Sequence, residues 1–211
     1  MSKTRIAALV SGGGTNLQAL IDAQLRDELG GGEIVAVISS KPGAYALERG
    51  EKVGIPGYVL DRKTFPDNRS MTVALVEKLK ELEIDLVVLA GCMVIFTNEL
   101  VDAYPNAVIN VHPALIPSFC GPGFYGLHVH EKALAYGVKM SGATVHFVNE
   151  ECDGGPIIAQ RAVEVRWDDT PEILQRRIME QAEWKILPEA VSLFCQGRLR
   201  VEGRTVIVEG K

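Results

Sequence analysis

The sequence predicts an α/β fold built on a mostly parallel, twisted sheet with helices on both faces. Apolar runs of strand length alternate with stretches of helical periodicity through the first half of the chain, which is the pattern of β-α-β units. One such run, D-L-V-V-L-A-G-C-M at residues 85–93, is nearly all apolar, as a central strand covered on both faces must be. The first run stops at three consecutive glycines just before a helical pattern, giving a strand, a tight turn and a helix start. With 211 residues, 47% apolar and 23% charged, the chain can bury one large core, and a single domain is expected.

Taken in order, T-R-I-A-A-L-V is the first strand, S-G-G-G-T-N the turn, and L-Q-A-L-I-D-A the start of the first helix. Gly12, Gly13 and Gly14 let the backbone turn sharply and approach a ligand closely. Thr15 or Asn16 could cap a helix whose free N–H groups would receive a phosphate. The dinucleotide fingerprint fits poorly, because Leu17 occupies its third glycine position, and no Walker lysine follows. A mononucleotide or sugar-phosphate cradle is the functional reading, and a structural tight turn is the alternative.

E-I-V-A-V-I-S-S is the second strand, A-Y-A-L-E-R-G-E-K a short helix and I-P-G-Y-V-L-D the third strand. The polar segment R-K-T-F-P-D-N-R-S leads into a helix expected over residues 71–83, with Val73, Leu75, Val76, Leu79 and Leu82 apolar and Arg69 near its start. The apolar strand at 85–93 ends at the sheet's carboxyl edge, where open parallel sheets bind ligands. Met93, Val94, Ile95 and Phe96 are therefore expected beside both the glycine turn and the next strand. A short helix over 97–104 and a strand over 107–111 follow.

The densest chemistry lies between residues 108 and 153. In A-V-I-N-V-H-P, Asn110 and His112 are two apart, so on a strand their side chains project to the same face. Asp153 follows in the turn C-D-G-G-P. A carboxamide that donates, an imidazole that exchanges protons and a carboxylate that orients it are what acyl chemistry needs around a developing oxyanion. His146, on the strand S-G-A-T-V-H-F-V, either supports the site or fills polar space, and it stays outside the catalytic set. His128 and His130 sit at the start of a helix with no carboxylate or thiolate spacing to complete a site, so no metal is expected.

Beyond Asp153, P-I-I-A-Q-R-A-V-E-V reads as an antiparallel strand. W-D-D-T-P-E-I opens a helix with Thr170 as N-cap and Pro171 at its first position, running toward Gln196 with a kink before Pro188. Glu180 and Glu183 lie in its first half, either as hydrogen-bonding groups for a ligand or as a solvated face. The final R-L-R-V-E-G-R-T-V-I-V-E reads as a hairpin.

A net charge of −5 argues against nucleic-acid binding while leaving room for small anionic ligands. The four cysteines, Cys92, Cys120, Cys152 and Cys195, have neither C-x-x-C spacing nor the density of a disulfide framework. The longest apolar run, 86–96, is too short to cross a bilayer, and no leader signal precedes the first strand. A cytoplasmic protein with no membrane partner is expected.

V-S-G-G-G-T-N-L-Q-A-L, V-V-L-A-G-C-M, N-V-H-P-A-L-I-P with G-L-H-V-H, and G-A-T-V-H-F-V-N-E-E-C-D-G-G-P-I-I-A-Q together, in this order along nearly the whole chain, resemble the folate-dependent glycinamide ribonucleotide formyltransferases. The resemblance implies a Rossmann-like formyltransferase domain over residues 1–211, with a phosphate-binding half at 1–105 and a catalytic and folate-binding half at 106–211. It implies formyl transfer from 10-formyltetrahydrofolate, as co-substrate, to the amine of glycinamide ribonucleotide, in a monomer or homodimer. The family's catalytic residues correspond to Asn110, His112 and Asp153. Its substrate-phosphate and ribose site corresponds to Gly14, Thr15 and Asn16 with Glu180 and Glu183. Its folate site corresponds to Arg69, Met93, Val94, Ile95, Phe96, Asn110, Asn149, Glu150, Glu151, Cys152 and Asp153. Two departures stand out: a longer, glycine-rich and aromatic segment S-F-C-G-P-G-F-Y at 118–125, expected to act as a mobile lid, and Val94 where a charged residue would stand near the folate.

Methionyl-tRNA formyltransferase and formyltetrahydrofolate hydrolase resemble the same core but carry an additional C-terminal or N-terminal domain, for which 211 residues leave no room. A nucleotide-sensing module could use the glycine turn and the sheet edge, but it would have no need of Asn110, His112 and Asp153 together.

Overall fold

Every second residue of the first strand faces a different layer of helices, and that alternation organises the molecule. The computed structural model describes residues 3–210. In β1 (Thr4–Val10), Ile6, Ala8 and Val10 pack with α1 (Thr15–Leu25), while Ala7 and Leu9 belong to the core on the other face. β2 (Gly32–Ser39), α2 (Tyr45–Glu51) and β3 (Gly57–Val59) extend the sheet to one side. α3 (Asn68–Glu81), β4 (Leu86–Leu89), α4 (Asn98–Ala103) and β5 (Val108–His112) build it to the other. Then come α5 (Leu127–Tyr136), β6 (Met140–Phe147), β7 (Ile157–Glu164), α6 (Pro171–Ile178), a π-helical turn (Met179–Glu183), α7 (Trp184–Cys195), and the hairpin β8 (Leu199–Glu202) and β9 (Thr205–Val208).

The strand order is β3-β2-β1-β4-β5-β6-β7-β9-β8. The first five strands in that order are mutually parallel, and β6 is antiparallel to both β5 and β7. Helices α1, α2, α6 and α7 contribute to one core and α3 and α4 to the other, so the sheet is covered on both faces as expected. The chain runs outward from β1 through β2 and β3, then returns to place β4 on the opposite side. This makes a topological switch point between β1 and β4, the place where such sheets leave a crevice. Register aligns the crevice walls: Leu9 pairs with Leu89 and Leu89 with Asn110, so the carboxyl ends of β1, β4 and β5 lie in one row.

Three local expectations change. The α3 helix starts at Asn68 rather than residue 71, because Asp67 accepts a 2.7 Å bond from Ser70 N and caps the earlier turn. Neither Thr15 nor Asn16 caps α1; Gly14, at φ 71, stands at the N-cap without a side-chain bond. The late helix runs without a break from Pro171 to Cys195, toward Gln196 as expected, but it is not of one kind throughout. It widens at Met179–Glu183, and Pro188 lies inside the following helix. The cap at Thr170 is as expected, with its hydroxyl accepting from Ile173 N.

Candidate active site

A cavity of about 730 Å³ opens at the carboxyl edge of β1, β4 and β5. One end is the glycine turn, and the other is formed by the residue 149–153 loop and the segment before α5.

Asn110 and His112 reach this cavity from the same face of β5. The antiparallel register of β5 and β6 sets His146 directly opposite Asn110 and Thr144 opposite His112. Asn110 Nδ2 lies 3.1 Å from His146 Nε2. His146 Nδ1 lies 2.9 Å from the carbonyl oxygen of Phe147, which only accepts. With the ring proton on Nδ1, Nε2 accepts from Asn110; the same Nε2 lies 3.7 Å from Asp153 Oδ1, toward which it donates when it carries a proton. That bond fixes which end of the carboxamide faces Asp153. The second Asn110 N–H is 3.4 Å from Asp153 Oδ1, a long contact that a better acceptor could replace. Thr144 steadies the chain just after His112: its hydroxyl donates to Ala114 O at 2.7 Å and accepts from Ile116 N at 3.1 Å.

Asp153 occupies the left-handed region at φ 55. The turn around it needs glycine on geometric grounds, since a Cβ at Gly155 would collide with the Phe147 carbonyl. Asp153 Oδ2 stands 3.5 Å from His112 Nδ1 and accepts a 2.9 Å bond from Gly121 N, while His112 Nε2 lies 2.8 Å from the carbonyl of Phe119. The segment 118–125 thus touches both the His112 imidazole and the Asp153 carboxylate.

Burial holds the Asp153 carboxyl up, but His146, His112 and the Gly121 N–H together take it below its ordinary value, so it is ionised at neutral pH. His112 corrects the simple expectation that a carboxylate neighbour keeps it protonated. Burial is the dominant influence and pushes its pKa down, against the upward pull of Asp153 and the Phe119 carbonyl, while His146 adds to the lowering.

At the glycine end, Gly14, Thr15 and Asn16 line the cavity with Glu183. Asn16 Nδ2 donates to Glu183 Oε2 at 2.7 Å, and Asn16 Oδ1 has no protein partner among the described residues. Burial raises the Glu183 carboxyl to about 7 despite the Asn16 bond. The wide turn at Met179–Glu183 brings Met179 and Glu183 to the cavity together. Glu180 is not brought there: it faces the surface and pairs with Arg176 one helical turn earlier, at 2.8 Å.

Along the folate side expected from the resemblance, Met93, Val94, Ile95 and Phe96 form one wall, and Asn149, Glu150, Glu151, Cys152 and Asp153 form another. Arg69 is the exception. Because α3 begins early, its side chain emerges in the first turn, largely exposed, and pairs with Glu99 of α4 at 2.6 Å, outside the cavity lining.

His146 was left out of the catalytic set on sequence grounds, yet it holds Asn110. Only the pairing register of β5 with β6 reveals this. His130, read from the sequence only as lacking partners for a metal, also lines the cavity. It is fully buried at the cavity with neither ring nitrogen bonded among the described residues, and burial beside His112 lowers its pKa to about 4. Gln175 also lines the cavity, brought there by the packing of α6.

Residues 4–191 match the formyl transferase family model. The chain is 39% identical over 207 residues to the phosphoribosylglycinamide formyltransferase of Haemophilus influenzae, covering 98% of this chain and 94% of that protein. It is 42% identical over 199 residues to the trifunctional purine biosynthetic protein adenosine-3 of Bos taurus, spanning 19% of that longer chain. The crystal structure of glycinamide ribonucleotide transformylase 1 from Symbiobacterium toebii superposes with a TM-score of 0.91 at 42% identity, covering 98% of this chain and 94% of the other.

Proposed function

Because the chain belongs to the formyl transferase family, and within it to the phosphoribosylglycinamide formyltransferases, we infer that it transfers the formyl group of 10-formyltetrahydrofolate to the amine of glycinamide ribonucleotide, a step of purine biosynthesis. The observation that carries this reading is the meeting of Asn110, His112 and Asp153 at one end of a cavity whose other end is the glycine turn. The ribonucleotide phosphate lies at Gly14, Thr15 and Asn16. Asn16 Oδ1, which has no partner among the described residues, and the Glu183 carboxyl accept from ribose hydroxyls or the glycinamide amine. The folate lies between residues 93–96 and 149–153. On this reading residues 1–105 form the phosphate-binding half and 106–211 the catalytic half, although Glu183 reaches back across the division to Asn16.

The amine attacks the formyl carbonyl directly, and no covalent enzyme intermediate is needed. Asn110, held by His146, turns its loosely engaged N–H from Asp153 to the developing oxyanion. His112 has an acceptor facing each ring nitrogen, Phe119 O and Asp153 Oδ2, so its imidazolium is partnered on both sides. Burial opposes that charge in the free protein, and the oxyanion supplies the missing compensation as the transition state forms. His112 then stabilises the oxyanion and acts as acid. Asp153 supports the imidazolium and, by way of water, takes the amine proton to replace the one His112 gives to the leaving folate nitrogen, so that a single proton moves from amine to folate.

A monomer or a homodimer is part of the proposal. No helix among the described residues is long and apolar enough to cross a membrane, and a cytoplasmic location is part of the proposal. A coupled assay with 10-formyltetrahydrofolate tests the reaction. Deformylated folate should form only when glycinamide ribonucleotide is present, whereas equal turnover with water alone would make the protein a hydrolase.

A further inference from the structure

Among the described residues, no lysine or arginine lines the cavity. A phosphate bound there would be held by backbone N–H groups and the start of α1 alone, unless positive charge reaches it from behind. One cation is bonded to the glycine turn from its outer side. Arg49 of α2 donates from Nε to Gly13 O at 2.7 Å and from Nη1 to Gln18 Oε1 at 2.8 Å, with its guanidinium 4.9 Å from the Tyr45 ring centre. Gln18 donates in turn to Asp22 Oδ1 at 2.8 Å, which directs its carbonyl oxygen at Arg49. One residue earlier in the turn, Ala46 N donates to Gly12 O at 3.1 Å.

The α2 helix therefore ties down two consecutive carbonyls, those of Gly12 and Gly13. In a trans peptide the C=O and the following N–H point in opposite directions. With both carbonyls drawn toward α2, the N–H groups of Gly13 and Gly14 are turned the other way, toward the cavity that both glycines line. The Gly14 carbonyl accepts the first helical bond, from Gln18 N at 2.9 Å. Successive N–H groups aimed at one place make an anion-binding nest. Close contact keeps it in position: a Cβ on Gly14 would fall 2.6 Å from Ala46 Cβ, so the turn and α2 fit only with glycine there.

We propose that Arg49 is the positioning residue of the phosphate site, holding the Gly13–Gly14 peptide with its N–H toward the ligand and supplying from behind the turn the positive charge that the cavity wall lacks. The proposal rests on the reading of the glycine turn as the phosphate site. The forked guanidinium is suited to the task, because it bonds Gly13 and Gln18 at once and stacks on Tyr45, which a lysine could not reproduce. A group in this position strengthens binding of a phosphate monoester without touching the reacting atoms.

Steady-state constants of Arg49→Gln and Arg49→Lys, with ribose 5-phosphate as a competitive probe of the phosphate end, test it. Arg49→Gln should raise the KM for glycinamide ribonucleotide and the inhibition constant of ribose 5-phosphate together. The expected size is roughly 10- to 100-fold, the range for losing a hydrogen bond to a charged group. The saturated kcat and the folate KM should stay near native, which also shows that the variant is folded. Arg49→Lys, keeping charge without the fork, should fall between. An unchanged ribonucleotide KM in Arg49→Gln, or a loss shared equally by kcat and the folate KM, overturns the proposal. If Gly14→Val then still raises both phosphate-end constants, the glycine turn remains the phosphate site and only the role of Arg49 falls. If Gly14→Val leaves them unchanged as well, both fall.

Discussion

The backbone N–H of Gly121 donates to Oδ2 of Asp153 at 2.9 Å, so the glycine-rich segment before α5 is anchored to the carboxylate proposed for proton relay. Its neighbour Phe119 presents a carbonyl to His112 at 2.8 Å, and the Phe119 ring packs edge-on against Tyr136 at 5.9 Å and Phe124 at 6.3 Å. The segment expected to act as a lid is therefore held through the same two groups proposed for the chemistry.

Removing the acceptor should loosen the lid. Protease cleavage near Phe124 is expected to slow when folate and ribonucleotide are both bound, and to quicken in unliganded Asp153→Ala relative to the native protein. Identical cleavage in all three samples would show that the segment is not a lid tethered by Asp153.

Glu183 makes a prediction about stability against pH. Its carboxyl titrates near 7 in the folded protein and near the ordinary 4.5 when unfolded. Below pH 4.5 it is neutral in both states and costs nothing. Between 4.5 and 7 the unfolded chain ionises first, so stability falls as pH rises, and above 7 the full cost remains, on the order of 3 kcal/mol. Glu183→Gln, whose amide oxygen can still accept from Asn16, should raise the melting temperature at pH 8 and leave it nearly unchanged at pH 4.5. It should also raise the ribonucleotide KM. A stability gain independent of pH would mean that the buried charge is not the cause.

Much of the fold was legible because both periods were clean. The unbroken apolar run Ile6–Val10 is that of a strand covered on both faces, and the run at 85–93, of which Leu86–Leu89 forms β4, marked the edge where the cavity lies. Asn110 and His112 could be placed on one face from their spacing alone. His146 could not be placed, since its meeting with Asn110 depends on how β6 registers against β5, and single-strand periodicity carries no such information. Arg69 and Glu180 lie outside the cavity lining for a related reason. Motif position puts a long side chain near a site, but nearby partners decide its direction, and Glu99 and Arg176 turn these two to the surface. The widened turn at Met179–Glu183, which delivers Glu183 to the cavity, has no counterpart in the helical pattern on either side.

The titration of His112 separates the influences acting on it. Burial lowers its pKa and Asp153 raises it, so removing the carboxylate charge while keeping the shape leaves burial less opposed. In Asp153→Asn the imidazole should titrate further below 6.5 than in the native protein, followed by nuclear magnetic resonance of the ring protons. Activity should fall with it, because less imidazolium forms at any given pH. An upward or absent shift would mean that Asp153 does not act on His112 through its charge.

The final prediction concerns the amide that faces the oxyanion. If Asn110 donates only as charge develops, Asn110→Ala should lower kcat on the order of 100- to 1000-fold, about 3 to 4 kcal/mol, with small changes in substrate dissociation constants. His112→Ala should do comparable damage to kcat for the same reason. His146 acts through Asn110: its Nε2 accepts the 3.1 Å bond that leaves the other N–H free to turn. His146→Phe should therefore lower kcat by a smaller factor, roughly 10-fold, the effect of misdirecting a donor rather than deleting it. Once Asn110 is alanine there is nothing left for His146 to direct, so the double variant Asn110→Ala with His146→Phe should be no slower than Asn110→Ala alone. Asp153 and His112 should couple similarly, the pair of losses costing less than their sum. Additive effects of the Asn110 and His146 substitutions would show that His146 serves the reaction by another route or only fills the core, and the hydrogen bond between them would then be structural.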